Sequence, residues 1–110
     1  MGYYTRYSLK VLKSPTQHAD NEEEVIADLR KDEYVEACIN EAGDCQDERK
    51  WYDHDDTMKV FSKNYPNLIF ELEGEGEESG DMWKKYYKDG KSQTCQAVIT
   101  FEEFNPLKLT

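Results

Sequence analysis

Cysteine, basic residues and long apolar runs are scarce in this sequence, and each scarcity excludes a class of protein. The three cysteines, Cys38, Cys45 and Cys95, are an odd number without a C-x-x-C pair. They do not indicate a disulfide framework and favour reduced thiols in a reducing cytosol. No apolar stretch is long enough to span a membrane, and the N-terminal residues lack the apolar core of a signal peptide. We therefore expect a cytoplasmic protein without a membrane segment.

Basic residues are outnumbered by acidic ones. The 110 residues carry 24 acids and 14 bases, which gives a formal net charge of −10. A general nucleic-acid-binding protein needs basic surface to displace the counterions of the phosphate backbone, and an anionic membrane repels an acidic chain. The balance therefore argues against direct binding of nucleic acid or lipid. It favours either a basic protein partner or an acidic surface that only interacts with solvent.

The length and composition predict one folded domain that covers residues 1–110. Aromatic residues make up 13% of the chain, unlike in disordered chains. Residues 3–12 alternate between apolar and polar side chains, which predicts a half-buried strand. Residues 22–39 carry two apolar stripes behind a cap at Asp20 or Asn21, and they predict one bent helix or two short ones. Asp53 is predicted to cap a third helix that ends before Pro66.

The second half of the chain predicts three further strands. In residues 68–75, alternation places Leu68, Phe70 and Leu72 inward and the intervening glutamates outward. Residues 82–88 and 91–101 flank Asp89-Gly90, which is typical of a hairpin with a type I′ turn. Pairing of the lysine strand with the acidic strand would place glutamates beside Lys84 and Lys85. The tail with Phe101, Phe104, Pro106 and Leu107 is expected to cover a sheet edge.

These elements predict an α+β fold, with an antiparallel sheet of about four strands and two or three helices on one face. Within it, the densest polar cluster is Asp53-His54-Asp55-Asp56. A histidine with neighbouring carboxylates is typical of a divalent-metal or general-base site. Neither an EF-hand spacing nor an H-E-x-x-H motif is present, and acids at a helix start also act as capping residues. Both interpretations stay open.

Three other patterns have both a functional and a structural interpretation. Cys38, Cys45, His54 and Cys95 could supply a zinc site, although the cysteines also suit buried apolar positions. The aromatic and basic residues of 82–88 suit a single-strand-binding platform, or packing beneath helices and pairing with glutamates. The glycines of residues 74–80 suggest a phosphate loop, but the acids around them would repel phosphate.

Part of the chain resembles a group of small acidic proteins of bacteriophages, prophages and other mobile elements. The resemblance rests on Trp-Tyr-Asp-His at 51–54, Gly-Glu-Gly-Glu-Glu at 74–78, Gly-Asp-Met-Trp at 80–83 and Gly-Lys at 90–91. It covers residues 50–104. It implies a ferredoxin-like α+β sandwich and no enzymatic activity. Small acidic proteins in that setting often inhibit host defence enzymes, anti-CRISPR proteins among them.

The leading hypothesis is a non-enzymatic inhibitor without cofactor or metal that acts in the host bacterial cytoplasm. Residues 20–56 hold 15 acids and 4 bases, and residues 71–81 hold six further acids. Such a surface would mimic a phosphate backbone and occupy the basic surface of a host nucleic-acid-binding protein, such as a CRISPR effector. The alternative is a small metal-dependent hydrolase built on Asp53, His54 and Asp55. The predicted partner-binding residues are Glu71, Glu73, Glu75, Glu77, Glu78, Asp81, Asp53, Asp55 and Asp56.

Overall fold

The alternating residues at the start of the chain form the strand β1, Thr5–Ser14. The computed structural model describes residues 5–14, 16–44, 53–76 and 80–110. As predicted, Thr5, Tyr7, Leu9 and Val11 are buried on one face of β1, while the intervening Arg6 and Lys10 are exposed. The predicted start of the strand at Tyr3 and Tyr4 lies outside the described residues. So do Cys45, Trp51, Tyr52, Glu77 and Glu78.

The two apolar stripes form two short helices rather than one bent helix. These are α1, Glu22–Leu29, and α2, Glu33–Cys38. The third helix, α3, is His54–Ser62, with Asp53 at the N-cap position as predicted, although its side chain makes no capping hydrogen bond. Among the described residues, no helix has the length and apolar character needed to cross a membrane.

The sheet has five strands rather than about four. After β1 come β2, Gln17–His18; β3, Ile69–Gly76; β4, Met82–Lys88; and β5, Lys91–Gln96. Their order across the sheet is β2-β1-β3-β4-β5, and all neighbours are antiparallel. The short β2 was not predicted because two exposed polar residues carry no alternating pattern.

The α+β class and the antiparallel sheet are confirmed, but the ferredoxin-like arrangement is not. A ferredoxin-like fold alternates its elements as βαββαβ. The described elements run β1-β2-α1-α2-α3-β3-β4-β5, with all three helices before the last three strands. Consecutive hairpin connections therefore join β3 to β4 and β4 to β5, where a ferredoxin-like fold has a helical crossover.

The Asp89-Gly90 turn forms as predicted and sets the register of the last hairpin. Asp89 has a φ of 48° and Gly90 a φ of 79°, which is the left-handed geometry of a type I′ turn. Lys88 then pairs with Lys91, and Lys84 with Cys95. The predicted second strand extends too far, since β5 ends at Gln96 and not at residue 101.

The helices cover one face of the sheet and leave the other face open. The core between the layers combines β1 residues such as Leu9 with Ile26 of α1, Met58 of α3, and Phe70 and Tyr87 of the later strands. α1 packs on β1, and α3 packs on β3 and β4. The open face carries the other set of strand residues, which includes Arg6, Lys10, Glu71, Glu73, Glu75, Lys84 and Lys88.

The C-terminal tail, residues 97–110, does not cover a sheet edge, so that prediction was wrong. Its one regular element is the short 3₁₀ helix Pro106–Lys108. Phe101 is 93% exposed, Phe104 73% and Leu107 91%. Three large apolar side chains are therefore exposed to solvent, although the sequence pattern predicted that they pack against the domain.

Candidate functional site

The start of α3 meets β4 in a half-buried polar cluster. Lys85 Nζ lies 2.8 Å from His54 Nε2 and 3.1 Å from Asp55 Oδ2. The hydroxyl of Tyr87 donates a 2.6 Å hydrogen bond to Asp55 Oδ1. Lys85 and Tyr87 are two residues apart on one strand, so both point at the helices. This cluster unites His54 and Asp55 of the predicted polar cluster with Lys85 and Tyr87, which the sequence assigned to a different candidate site, the single-strand-binding platform.

Aromatic rings enclose the cluster. The His54 ring stacks on Trp83 with centroids 5.2 Å apart and planes 12° apart. Tyr7 meets both rings from β1, at 5.9 Å from His54 and 6.2 Å from Trp83. Lys85 Nζ lies 4.8 Å from the centroid of the Trp83 ring, which adds a cation–π contact. Trp83 packs under His54, and Tyr87 is fully buried. These two rings therefore do not form an exposed platform on which the bases of single-stranded nucleic acid could stack.

The hydrogen bonds decide the protonation of this cluster. Burial acts to raise the pKa of Asp55, but the hydrogen bonds from Tyr87 and Lys85 outweigh it and hold that pKa below its usual value. Burial and the hydrogen bond to Asp55 raise the pKa of the Tyr87 hydroxyl far above its usual value. Tyr87 therefore remains a neutral donor and Asp55 a charged acceptor at neutral pH.

The geometry does not favour a metal at this cluster. An ammonium group beside His54 Nε2 takes the lone pair that a metal would use, and its positive charge repels a cation. Within the described part of the chain, no group of three or more His, Cys, Asp or Glu side chains is placed to hold a metal ion. The arrangement instead joins α3 to β4 through a half-buried ion pair and hydrogen bonds between the helix and the sheet.

The residues of the predicted zinc site lie on different sides of the sheet. Cys38 is buried among the core residues under the helices. Cys95 pairs with Lys84 on β4, whose side chain belongs to the open face. The sheet therefore separates the two thiols, and Cys45 lies outside the described residues.

The acidic strand does not present a continuous acidic face. Glu71 is only 9% exposed, and Tyr86 donates a hydrogen bond to its carboxylate. Glu73 is half-buried between Ser8 and Lys84 on the neighbouring strands, which confirms the predicted pairing for Lys84. Glu75 is exposed and Asp81 is half-buried. Glu71 points to the open face as predicted but is buried there, because alternation gives the direction of a side chain and not what covers it.

Carboxylates gather instead around α1, in a groove between α1 and α2. This surface groove has a volume of about 740 Å³. Arg30 and Lys31 also line it: Arg30 Nε donates a 3.1 Å hydrogen bond to the backbone oxygen of Ile39, Arg30 Nη1 lies 4.0 Å from Glu41 Oε1, and Lys31 pairs with Asp28 at 3.1 Å. Four carboxylates line the groove: Glu22, Glu23, Glu36 and Glu41.

A second groove on the same layer lies between α1 and α3. Its volume is about 420 Å³, and Val60, which is 65% exposed, forms part of its wall. Asp28, Asp32 and Asp56 supply three carboxylates. Asp56, one of the predicted contact residues, thus lines this groove, while Asp53 is exposed at the N-cap of the same helix. The excess of acids in residues 20–56 indicated an acidic surface on this segment, and both grooves border α1, the first helix of the segment.

Charge therefore differs between the two layers of the protein. Residues 20–44, which form α1 and α2, hold ten acids and two bases. The open face of β1, β3 and β4 alternates basic and acidic residues across its strands. Among the described residues, the helical layer therefore carries the larger excess of negative charge.

Comparisons with protein families, with characterised proteins and with solved structures found nothing that matches this chain.

Proposed function

We propose that this protein is a non-enzymatic binding module whose acidic helical face docks on the basic surface of another protein. The observation that carries the proposal is the pair of grooves beside α1, which together are lined by seven carboxylates. We call this surface the acidic helical face and define it by Glu22, Glu23, Asp28, Asp32, Glu36, Glu41 and Asp56.

The chemistry of this face suits lysine and arginine side chains. A groove lined by carboxylates accepts ammonium or guanidinium groups, and the arginine fork can bind a carboxylate through two hydrogen bonds. Glu23, Glu36 and Glu41 are exposed, so a partner would meet them without first displacing protein atoms. Complementary charge mainly accelerates association and selects the partner.

The partner class follows from what a row of carboxylates imitates. Basic surfaces that hold nucleic acid are built to meet regularly spaced negative charges. A protein that carries such charges on a rigid helical layer would compete with nucleic acid for that surface. Together with the resemblance to mobile-element proteins, this supports an inhibitor of a host nucleic-acid-binding defence protein, such as a CRISPR effector, in the bacterial cytoplasm.

The metal-dependent hydrolase receives less support. It would need Asp53, His54 and Asp55 to face one ion, yet Lys85 contacts His54 and Asp55 from the sheet. The same contacts explain these residues as a connection between α3 and β4.

The test is a capture experiment with matched charge-reversed baits. Tagged wild-type protein, Glu23→Lys/Glu36→Lys and Glu73→Lys/Glu75→Lys are incubated with a bacterial lysate that contains CRISPR effectors, and bound proteins are identified by mass spectrometry. The two variants change net charge equally, but only the first alters the acidic helical face. Melting curves confirm that both are folded.

We expect the wild type and the Glu73/Glu75 variant to retain a nucleic-acid-binding protein that the Glu23/Glu36 variant loses. Capture should weaken at high salt, because exposed charges are screened over about 8 Å at physiological ionic strength. An added oligonucleotide should displace the partner. Equal loss by both variants, or capture that neither salt nor oligonucleotide weakens, would contradict the assigned surface.

A further inference from the structure

An apolar groove lies on the open face of the sheet, opposite the acidic helical face. Its volume is about 460 Å³, and it crosses β1, β3, β4 and β5 close to the turn of the last hairpin. The floor is apolar and half-buried or buried, whereas the rim is basic and exposed. Leu12, Ile69, Tyr86 and Cys95 form the floor, and Lys88 and Lys91 form the rim.

The C-terminal tail has the complementary chemistry. Phe101 and Phe104 are among the most exposed large apolar residues of the described chain, and they flank Glu102 and Glu103. An apolar side chain in solvent loses the free energy that burial would contribute. Large apolar groups held out of the domain are typical of a binding segment. The two aromatic rings of the tail therefore suit the apolar floor of the groove, and its two carboxylates suit the two ammonium groups of the rim.

We propose that the tail of a second copy of this chain fills the groove, with the segment Phe101–Phe104 as its anchor. The two phenylalanines would lie on the apolar floor, and Glu102 and Glu103 would face Lys88 and Lys91. In a polyproline II conformation, which has three residues per turn and rises about 3.1 Å per residue, Phe101 and Phe104 point to the same side about 9 Å apart. Two steps between neighbouring strands cover about 9.5 Å, so the two rings would lie about two strands apart on the floor.

The exposure of the tail favours a second copy over the tail's own groove. The groove runs along β5 from Lys91 at the hairpin turn to Cys95, next to the point where the tail leaves the strand, yet the tail does not fold back onto it. In the structure, residues 97–110 are all exposed and the molecule is 56 Å long in its longest dimension. Two copies related by a two-fold axis would exchange tails, which fills both grooves and closes the assembly. The dimer would leave the acidic helical face of each copy accessible.

The first test measures molar mass in solution over a wide range of protein concentration, by light scattering after size-exclusion chromatography. We expect a dimer for the wild-type full chain. The tail variant Glu102→Lys/Glu103→Lys and the groove variant Lys88→Glu/Lys91→Glu should both be monomers, because each places like charges in the groove and on the segment. Phe101→Ser/Phe104→Ser should also be a monomer, with an unchanged far-UV spectrum.

Mixing the two charge-reversed variants gives a sharper result. In a mixed dimer, the lysine tail would enter the glutamate groove and the glutamate tail would enter the lysine groove, so both contacts are attractive again. We therefore expect an equimolar mixture to restore the dimer that neither variant forms alone. No dimer through another surface would respond in this way.

The thiol of Cys95 reports on occupancy of the groove independently of mass. Alkylation of Cys95, followed by peptide mass spectrometry, should be slower in the wild type than in Phe101→Ser/Phe104→Ser. A wild-type monomer at every concentration would overturn the proposal. If its Cys95 were nevertheless protected by the tail, the occupant would be the chain's own segment. A dimer that survives both charge reversals would place the interface elsewhere and also refute the proposal.

Discussion

The indole ring of Trp83 lies directly on Gly74, its cross-strand partner on β3. A methyl group added at Gly74 would overlap the six-membered part of that ring. The same ring stacks against His54 on its other side, so Trp83 is held between the β3 backbone and the start of α3. Glycine at this position lets the ring approach the sheet closely enough to support the polar cluster around Lys85.

Gly74→Ala should therefore destabilise the protein, because the indole ring has to leave its place. Overpacking of this kind costs about 1–3 kcal/mol. The change should lower the urea midpoint and reduce the near-UV circular dichroism. Glu75→Ala is the control on the same strand, since the Glu75 side chain is exposed. Equal shifts for the two variants would refute the packing explanation.

Residue pattern alone predicted much of the sheet. Alternation in β1 correctly placed Tyr7, Leu9 and Val11 toward the helices, and Asp89-Gly90 fixed the register of the last hairpin. These features depend on local sequence, since side-chain direction has a period of two and a type I′ turn needs two positive φ angles. The end of β5 depends on whether a neighbouring segment packs there, so its predicted length was wrong.

Only part of the polar cluster could be predicted from the sequence, as the two adjacent lysines Lys84 and Lys85 show. Lys84 faces Glu73 on the open side of the sheet, as expected from strand pairing. Lys85 points to the opposite face and contacts Asp55, which lies 30 residues earlier. The alternation of Trp83, Lys85 and Tyr87 could have assigned Lys85 to the helical side. Which helix residue it would meet depends on tertiary packing.

Asp55→Asn should make the free energy of unfolding depend less steeply on pH in the acidic range. The folded-state pKa of Asp55 lies below its usual value, so the unfolded chain binds more protons there and stability rises with pH. This contribution is complete above the unfolded pKa of about 3.9. It is lost as the pH falls through the lower folded pKa.

Urea unfolding between about pH 5 and pH 2 measures the effect. Since the Asp55 side chain is about half exposed, at 47%, solvent screening limits its share to about 1 kcal/mol or less. Asp56→Asn removes one exposed carboxylate from the same helix and serves as control. If both variants follow the same curve, the pH dependence does not come from the contact of Asp55 with Lys85 and Tyr87.

Tyr87→Phe should remove the hydrogen bond to Asp55 without opening a cavity. Tyr87 is fully buried and its hydroxyl lies 2.6 Å from Asp55 Oδ1. Hydrogen bonds to charged groups contribute about 1.5–3 kcal/mol, and we expect the lower part of that range because Asp55 is partly solvated. Tyr65→Phe, which removes a 2.8 Å bond to Asp28 in a more exposed place, should cost less. The reverse ranking in urea unfolding would contradict this view of the cluster.

Ser62→Ala should loosen the connection between the end of α3 and the hairpin turn. Ser62 is fully buried, donates a 2.8 Å hydrogen bond to the backbone oxygen of Lys59 and accepts one of 2.8 Å from the backbone N–H of Gly90. Without the hydroxyl, that N–H loses its acceptor, at a cost of about 1–2 kcal/mol. Hydrogen exchange at Gly90 should accelerate more than exchange in β3. Ser8→Ala, which removes an exposed bond to Asp44, should leave Gly90 unchanged, and protection of Gly90 that persists in Ser62→Ala would show that the turn is held by other contacts.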